Sequence, residues 1–465
     1  MPTHVSRIII LFSLVITTVN VYGTNQDVRK HGAAGDGTTL DAAAFQSAID
    51  KASTTGGGVV CVPPGKYLIA NVVLKSKVTL HLDKGATLLG STDRKDYADK
   101  SNAVLTAHGA EHIGVEGEGE INGQTTADYS KRAGAPAEPA WRTRLVLIDQ
   151  CRDVTFRGVT LLNSDSWTLH LRRCEHVRID GITIRNNYKR LNTDGIDPNS
   201  CRDLKITNCH ISTGDDAIVL KSTEPFPCED IEVSHCVLES PTGALKIGTE
   251  SKGDFRRIRF HDCQIVNSPV GVGIYIKDGA TVRDVVAENI EMDLCSPAFR
   301  NTVPLYIDIE KRHADSRIGA VHDVTFQNIR ITGEAGLLLQ GMPESRLENI
   351  TLRNFKFDVK TPENYARRTK PVGGKRTTSD ERDTKYARMP TYAAMANMRN
   401  LTIDGLHVNV SEADFERFPR SALALFSVDG ARISGVSRIP AAGGPPVVEQ
   451  TDCKQVQIIP GKGKP

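Results

Sequence analysis

The sequence predicts an all-β, single-domain, right-handed parallel β-helix of about ten coils with an N-terminal capping helix, and three observations carry the prediction. First, blocks of the form x-x-Asp-apolar-x-apolar recur. Those starting at Cys151, Cys174, Cys201, Cys228, Phe255 and Val282 lie 23, 27, 27, 27 and 27 residues apart. Second, eight residues into five of these units another short apolar stretch begins, at Ile182, Cys209, Cys236, Cys263 and Ile290. Third, weaker copies of the block at Ala110, Val321, Leu347, Met398 and Cys453 extend the repeat over nearly the whole chain. Within the blocks apolar and polar residues alternate, β-branched residues are common, and Gly, Asn, Asp and Ser fill the gaps, which reads as strand and turn. At about 3.3 Å per residue, such a unit holds two or three strands and makes one turn of a solenoid. Ankyrin-like or leucine-rich repeats would need helical segments, and these units have none.

Taken in chain order, Ile8 to Val21 form an apolar run behind His4 and Arg7 and end at Gly23. The run is too short for a membrane span and reads as a secretory signal peptide over residues 1–23, so the mature domain, 24–465, is expected to be secreted or periplasmic. Asp41 to Ala52 form an amphipathic helix, with Ala44, Ile49 and Ala52 on its apolar side, suited to covering the open end of the stack. Cys151, Cys174, Cys201 and Cys228 form one inward column, and Cys209, Cys236 and Cys263 a second. There a thiol serves as a small apolar side chain, and Cys209, Cys236 and Cys263 are expected to be reduced and stacked. From 361 to 389 a Lys, Arg and Asp-rich stretch interrupts the repeat and reads as an insertion loop. Charge is balanced, with 58 basic and 56 acidic residues, which leaves no nucleic-acid footprint. No His/Cys set has zinc spacing, neither metal nor cofactor is implied, and a monomer is expected.

Aligning the third strand of each coil places Leu169, Ile196, Ile218, Leu245 and Ile274 in one column. Two residues earlier that register stacks Trp167, Asp194, Asp216, Gly243 and Val272; one residue later it stacks His170, Asp197, Val219, Lys246 and Tyr275. Asp194 and Asp216 therefore fall on neighbouring coils, with Asp215 beside Asp216. Strict pleating would send Asp215 and Asp216 to opposite faces. Both reach a groove only from a turn, for which Gly195 and Gly214 supply backbone freedom. A lone Asp in a solenoid is ordinarily a turn cap. Three in one register, near Trp167, His170, Lys246 and Lys277, form a cluster whose members cannot all ionise, so one keeps its proton near neutral pH. A protonated acid beside ionised carboxylates is what glycosidic hydrolysis needs: one group protonates the leaving oxygen while another activates water.

These residues resemble glycoside hydrolase family 28, the polygalacturonase and rhamnogalacturonan hydrolase group, as a divergent member. The likeness runs from Val28–Thr38 through Gly117–Gly123 and Asn163–His170, and is most specific at Asn192-Thr193-Asp194-Gly195 and Gly214-Asp215-Asp216. It implies a parallel β-helix that hydrolyses with inversion, with Asp215 as general acid and Asp194 and Asp216 positioning and deprotonating the water. It also implies a pectic polysaccharide or oligosaccharide as substrate, with Asn192, Trp167, His170, Lys246, Tyr275 and Lys277 as candidate binding residues. Two departures stand out. Gly243 aligns with the family histidine, and Tyr275-Ile276-Lys277 aligns with an Arg-Ile-Lys motif that grips a galacturonate carboxylate, keeping the lysine and losing the arginine. Chemistry at the aspartates is untouched; the sugar in the adjacent subsite is what changes, which favours an exo-acting enzyme or one specific for modified pectin.

Two other readings compete. A pectate-lyase-like β-elimination would use calcium and an arginine base, and would give a chelator-sensitive reaction with an ultraviolet-absorbing product; Tyr275 leaves no arginine at the expected place. A non-catalytic carbohydrate-binding β-helix would bind without turnover and has no need of clustered acids.

Overall fold

The computed structural model of the protein describes residues 25–97, 102–125, 141–295, 302–334, 336–361, 390–441 and 443–459. The signal-peptide segment and the insertion loop, Thr361 apart, lie outside them. Among the described residues 35 strands form one continuous ladder, and each strand of a coil pairs in parallel with its counterparts one coil before and after, giving a parallel β-helix. The repeated block is the most regular strand of the coil. Val154, Val177, Leu204, Ile231, Ile258 and Val285 stand opposite one another in succession and point into the core. These are the fourth residues of the six blocks, so the sequence period and the structural period coincide.

The Asp of each block has a backbone explanation. Asp153, His176, Asp203, Asp230, Arg257, Asp284, Asp323 and Asn349 all sit at φ between 49° and 58°. This left-handed region costs most side chains energy and is tolerated best by Asn and Asp. The kink turns the chain by one corner per coil. Side chains at the corner also bond from coil to coil: Asn349 Nδ2 donates to Asp323 Oδ1 at 2.8 Å, and Asn400 Nδ2 to Asn349 Oδ1 at 3.1 Å.

All ten cysteines are free thiols. Cys174, Cys201 and Cys228 donate from Sγ to the carbonyls of Ile148, Leu171 and Pro198 at 3.4, 3.3 and 3.8 Å. Each thiol thus fills core volume and satisfies a weak donor without a cross-link. The helix Ala42–Thr54 buries Ala44, Phe45, Ala48, Ile49 and Ala52 against the first coil. Asp41 precedes it but does not cap it with its side chain; the carboxylate accepts instead from the N–H groups of Ala34 and Gly35 at 2.7 and 3.0 Å. Among the described residues no helix is long and apolar enough to cross a membrane.

The corner geometry predicts a contrast at exposed Asn349, where a β-branched side chain is strained and glycine is not. Asn349→Val should lower the unfolding free energy by about 1–3 kcal/mol and Asn349→Gly by less, as read from urea melts.

Candidate active site

The floor of the candidate site is the sheet of strands Leu169–Arg172, Ile196–Asn199, Ile218–Ser222, Gly243–Ser251 and Val270–Ile276. Leu169, Ile196, Ile218 and Leu245 stand in line as their sequence spacing predicts. The fifth coil corrects the expectation: Val272, not Ile274, faces Leu245, so Tyr275 lies beside Gly248 and Gly273 beside Lys246. A slip of two residues keeps every inward side chain inward, so hydrophobic alternation does not detect it.

Asp194 and the Asp215-Asp216 pair leave the chain in the turns just before strands Ile196–Asn199 and Ile218–Ser222, and strand alternation does not govern them. Main-chain bonds carry the ladder through these turns: Thr168 N–H donates to Asp194 O, and Gly195 N–H to Asp216 O, both at 2.9 Å. The two glycines are there for space and not for conformational freedom, since neither has a positive φ. A Cβ at Gly195 would come within 2.4 Å of Ala217 O, and one at Gly214 within 2.1 Å of Arg190 O.

Each carboxylate has its own partners. Asp216 Oδ2 accepts from Lys246 Nζ at 2.6 Å and Oδ1 from Thr242 Oγ1 at 2.8 Å. Asp194 Oδ2 accepts from Lys221 Nζ at 3.0 Å, and Asp194 is only 2% exposed. Lys221 also lies 3.3 Å from Asp197 Oδ1 and 3.7 Å from Glu250 Oε2, with Trp167 beside it, the ring centroid 4.3 Å from Nζ. Asp215 is half-buried. Its Oδ2 accepts from the N–H of Asn192 at 2.9 Å and its Oδ1 from Thr242 Oγ1 at 3.1 Å. Among the described residues no lysine or arginine lies within ion-pair distance of it.

Burial raises the pKa of Asp194, and Asp197 and Asp216 add to the shift while Lys221 opposes it. Burial likewise raises Asp215, reinforced by the charges of Asp194 and Asp216. Both shifts point the same way, and carboxylates packed this closely do not all ionise, so the cluster holds a proton near neutral pH. Asp197, fully buried, is pushed up to about 6. Burial disfavours the Lys221 ammonium, yet Asp194, Asp197 and Glu250 outweigh it and keep it firmly charged; Lys246 is held charged in the same way by Asp216.

The remaining predicted residues divide. Asn192, at φ 56°, orients Asp215 through its N–H and takes a bond from Arg142 Nη1 on its side-chain oxygen at 3.1 Å. Trp167 packs edge-on against His170 at 4.7 Å. His170 is buried, which lowers its pKa well below the ordinary histidine value and leaves a neutral packing residue. Tyr275 stacks on Tyr306 at 4.8 Å and lies under Lys246 at 5.2 Å. Lys277 does not reach the aspartates: its ammonium is bound to buried Glu310 at 3.0 Å. Sequence reasoning missed Lys221, Asp197, Glu250 and Thr242 as members of the site. The available signal was Lys221 itself, a lysine in the otherwise apolar strand Ala-Ile-Val-Leu-Lys, 27 residues after Asp194.

Among known proteins, a probable polygalacturonase of Vitis vinifera is 27% identical over 386 residues, 75% of this chain and 77% of the relative. An exopolygalacturonase of Zea mays is 28% identical over 66% of this chain and 76% of its own. The crystal structure of an exopolygalacturonase from Thermotoga maritima matches 72% of this chain and 87% of that one, with a TM-score of 0.62 at 23% identity. The family model for glycosyl hydrolases family 28 matches residues 54–370, which spans Asp194, Asp215 and Asp216, and the chain belongs to that family.

Proposed function

We propose that this protein is an exported hydrolase that cuts a glycosidic bond in a pectic polysaccharide or oligosaccharide with inversion at the anomeric carbon. In this reading Asp215 is the general acid, and Asp194 and Asp216 position and deprotonate the attacking water. One observation carries the assignment: Asp194 and Asp216 each hold a lysine ammonium, at 3.0 and 2.6 Å, and Asp215 holds none. Both Asp194 and Asp215 have raised pKa values, and Asp215 is the one with no ammonium on its oxygens, so it is the carboxyl free to hand the shared proton to substrate. Asp215 is also the most exposed of the three and is steered by a backbone N–H, as suits a group that must deliver a proton to substrate. Asp194 and Asp216, held by Lys221 and Lys246, lie beside it to position and deprotonate the water. Inverting enzymes divide the work this way, with acid and base on opposite faces of the sugar.

The substrate class follows from the family and from the charges around the aspartates. A chain of unbranched galacturonate crossing the groove needs a cation on the Tyr275 side, and a bidentate arginine is best shaped for a carboxylate. Tyr275 stands where the family motif has that arginine, and Lys277 is already neutralised by Glu310. A terminal galacturonate, or a branched or rhamnose-containing pectic oligosaccharide, is therefore the preferred substrate. The Zea mays relative named as an exopolygalacturonase supports the exo reading.

Asp215→Asn should lower kcat by about 10²–10⁴-fold with fold and substrate affinity kept, and proton NMR of the first-formed product should show the inverted anomer. Retention of configuration, or more than about a tenth of wild-type kcat in Asp215→Asn, would overturn the assignment. Because the acid must be protonated and its pKa is raised, kcat should fall as pH rises through about 7, a limb that Asp215→Asn should lack. Viscometry on unbranched polygalacturonan should show slow loss relative to the reducing ends released. Rapid viscosity loss would establish endo cutting.

A further inference from the structure

Thr242 stands between the two adjacent carboxylates, and one hydrogen has to serve two contacts. Its Oγ1 lies 3.1 Å from Asp215 Oδ1 and 2.8 Å from Asp216 Oδ1, each oxygen placed to accept from it. A hydroxyl carries one hydrogen and two lone pairs, so it donates to one carboxylate and turns a lone pair on the other. With both carboxylates ionised, the second contact is oxygen against oxygen with no hydrogen between. One added proton completes both.

The neighbouring hydroxyl does not supply that hydrogen. Ser240 Oγ donates to the main-chain oxygen of Asp215 at 2.7 Å and accepts from the N–H groups of Thr242 and Gly243, each at 3.0 Å. Its hydrogen and both lone pairs are thereby taken, and its 3.2 Å contact with Thr242 Oγ1 is left without one. The same bonds tie the main chain at Thr242 to the turn that carries Asp215, which fixes the distance between hydroxyl and carboxyl.

Charge decides which carboxyl takes the added proton. Lys246 Nζ, 2.6 Å from Asp216 Oδ2, favours ionised Asp216, while Asp215 accepts only from the N–H groups of Asn192 and Asp216, at 2.9 and 3.1 Å, besides Thr242. Of the charges that face Asp215, Asp194 on the preceding coil and Asp216 beside it favour its proton, and Lys246 on the following coil opposes it. Arg190, in the turn ahead of Asn192, is ion-paired with Asp165.

We propose that the Thr242 hydroxyl is a one-proton bridge: Asp215 O–H donates to Thr242 Oγ1, and Thr242 O–H donates to Asp216 Oδ1. Thr242 is thus a positioning residue, which keeps the proton on the carboxyl that faces substrate and keeps its neighbour ionised. This rests on the reading of Asp215 as general acid in a pectic hydrolase. The sign of the effect follows from counting bonds. The protonated pair has two hydrogen bonds through Thr242 and the fully ionised pair has one, so removing the hydroxyl costs the protonated state more and lets the proton leave at lower pH.

Difference infrared spectroscopy of the full-length protein, stepped through pH without substrate, reads the C=O band of a protonated carboxyl directly. The component that Asp215→Asn removes should titrate near pH 7 in the wild type. Thr242→Val, which keeps the shape and loses the hydroxyl, should move that midpoint down by about one pH unit, the worth of one hydrogen bond. Thr242→Ala should move it the same way, and serves if the valine variant does not fold. Thr242→Ser, which keeps the hydroxyl, should return the midpoint towards wild type, a rescue that a packing role alone would not produce. A midpoint unchanged or raised in a folded hydroxyl-free variant, or one in Thr242→Ser as low as in Thr242→Val, would overturn the bridge. Hydrolysis of pectic oligosaccharides is scored separately. Inverting turnover with an unshifted midpoint sinks the bridge alone, and a shifted midpoint without turnover sinks the hydrolase reading alone.

Discussion

Acidic groups packed below the distance at which they can all ionise are the constraint around which this molecule is arranged. Asp194, Asp197, Asp215, Asp216 and Glu250 converge on one stretch of sheet, and among the described residues Lys221 and Lys246 stand between them, with Arg312 at 3.9 Å from Glu250. Neither lysine could be buried alone, and neither set of carboxylates could be buried without the lysines. The deficit of positive charge is what stores a proton in the cluster. The ammonium groups sit deep, against Asp194 and Asp216, and the more exposed Asp215 is left to backbone and hydroxyl donors. The chemistry needs a difference between neighbouring carboxyls, and the coil geometry supplies it by giving each a different partner.

Parallel stacking makes such an arrangement reachable. In a coil of about 27 residues, side chains remote in sequence become lateral neighbours, so Asp194 meets Lys221 and Asp216 meets Lys246 across coil boundaries. Much of this could be read in advance, because the signals are periodic. The fourth residue of each block marks the core, the cysteine columns mark inward positions, and the strand register puts Asp194 beside Asp216. The recurrent Asp of the block also turns out to be a backbone signal. It lies at a left-handed corner on every coil, which is why Asn, His and even Arg can stand in for it.

What could not be read depends on reach and on register within a period. Tyr275 was misplaced by two residues because Val272 and Ile274 are equally good inward residues, and only the length of the preceding turn distinguishes them. Lys277 carries the right charge, but its side chain is captured by Glu310, a partner from the next coil that no local pattern announces. Lys221 looks like an interruption of an apolar strand until its three carboxylates are seen together. Gly195 and Gly214 were rightly singled out, but for the wrong reason: carbonyl oxygens of other turns press on them, and their φ values are ordinary.

Gly243 and Lys246 are best understood as one change. An ideal Cβ at position 243 would lie 3.1 Å from Asp216 Oδ1 and within 4 Å of Cβ and Cδ of Lys246, so a larger residue at 243 and this lysine conformation compete for the same space. Where the family pattern has an imidazole next to the aspartates, this chain has an ammonium that reaches Asp216 from three residues further along. Imidazole changes charge near neutral pH, whereas Lys246 is held charged by Asp216 through that range. The positive charge beside Asp216 is thereby made permanent, and the carboxyl cluster is left as the element that titrates near the working pH. Fixing that charge also removes a side chain from the rim of the groove at Gly243. With Tyr275 in place of a guanidinium on the same side and Lys277 bound to Glu310, the Tyr275 side of the aspartates offers shape and little free charge.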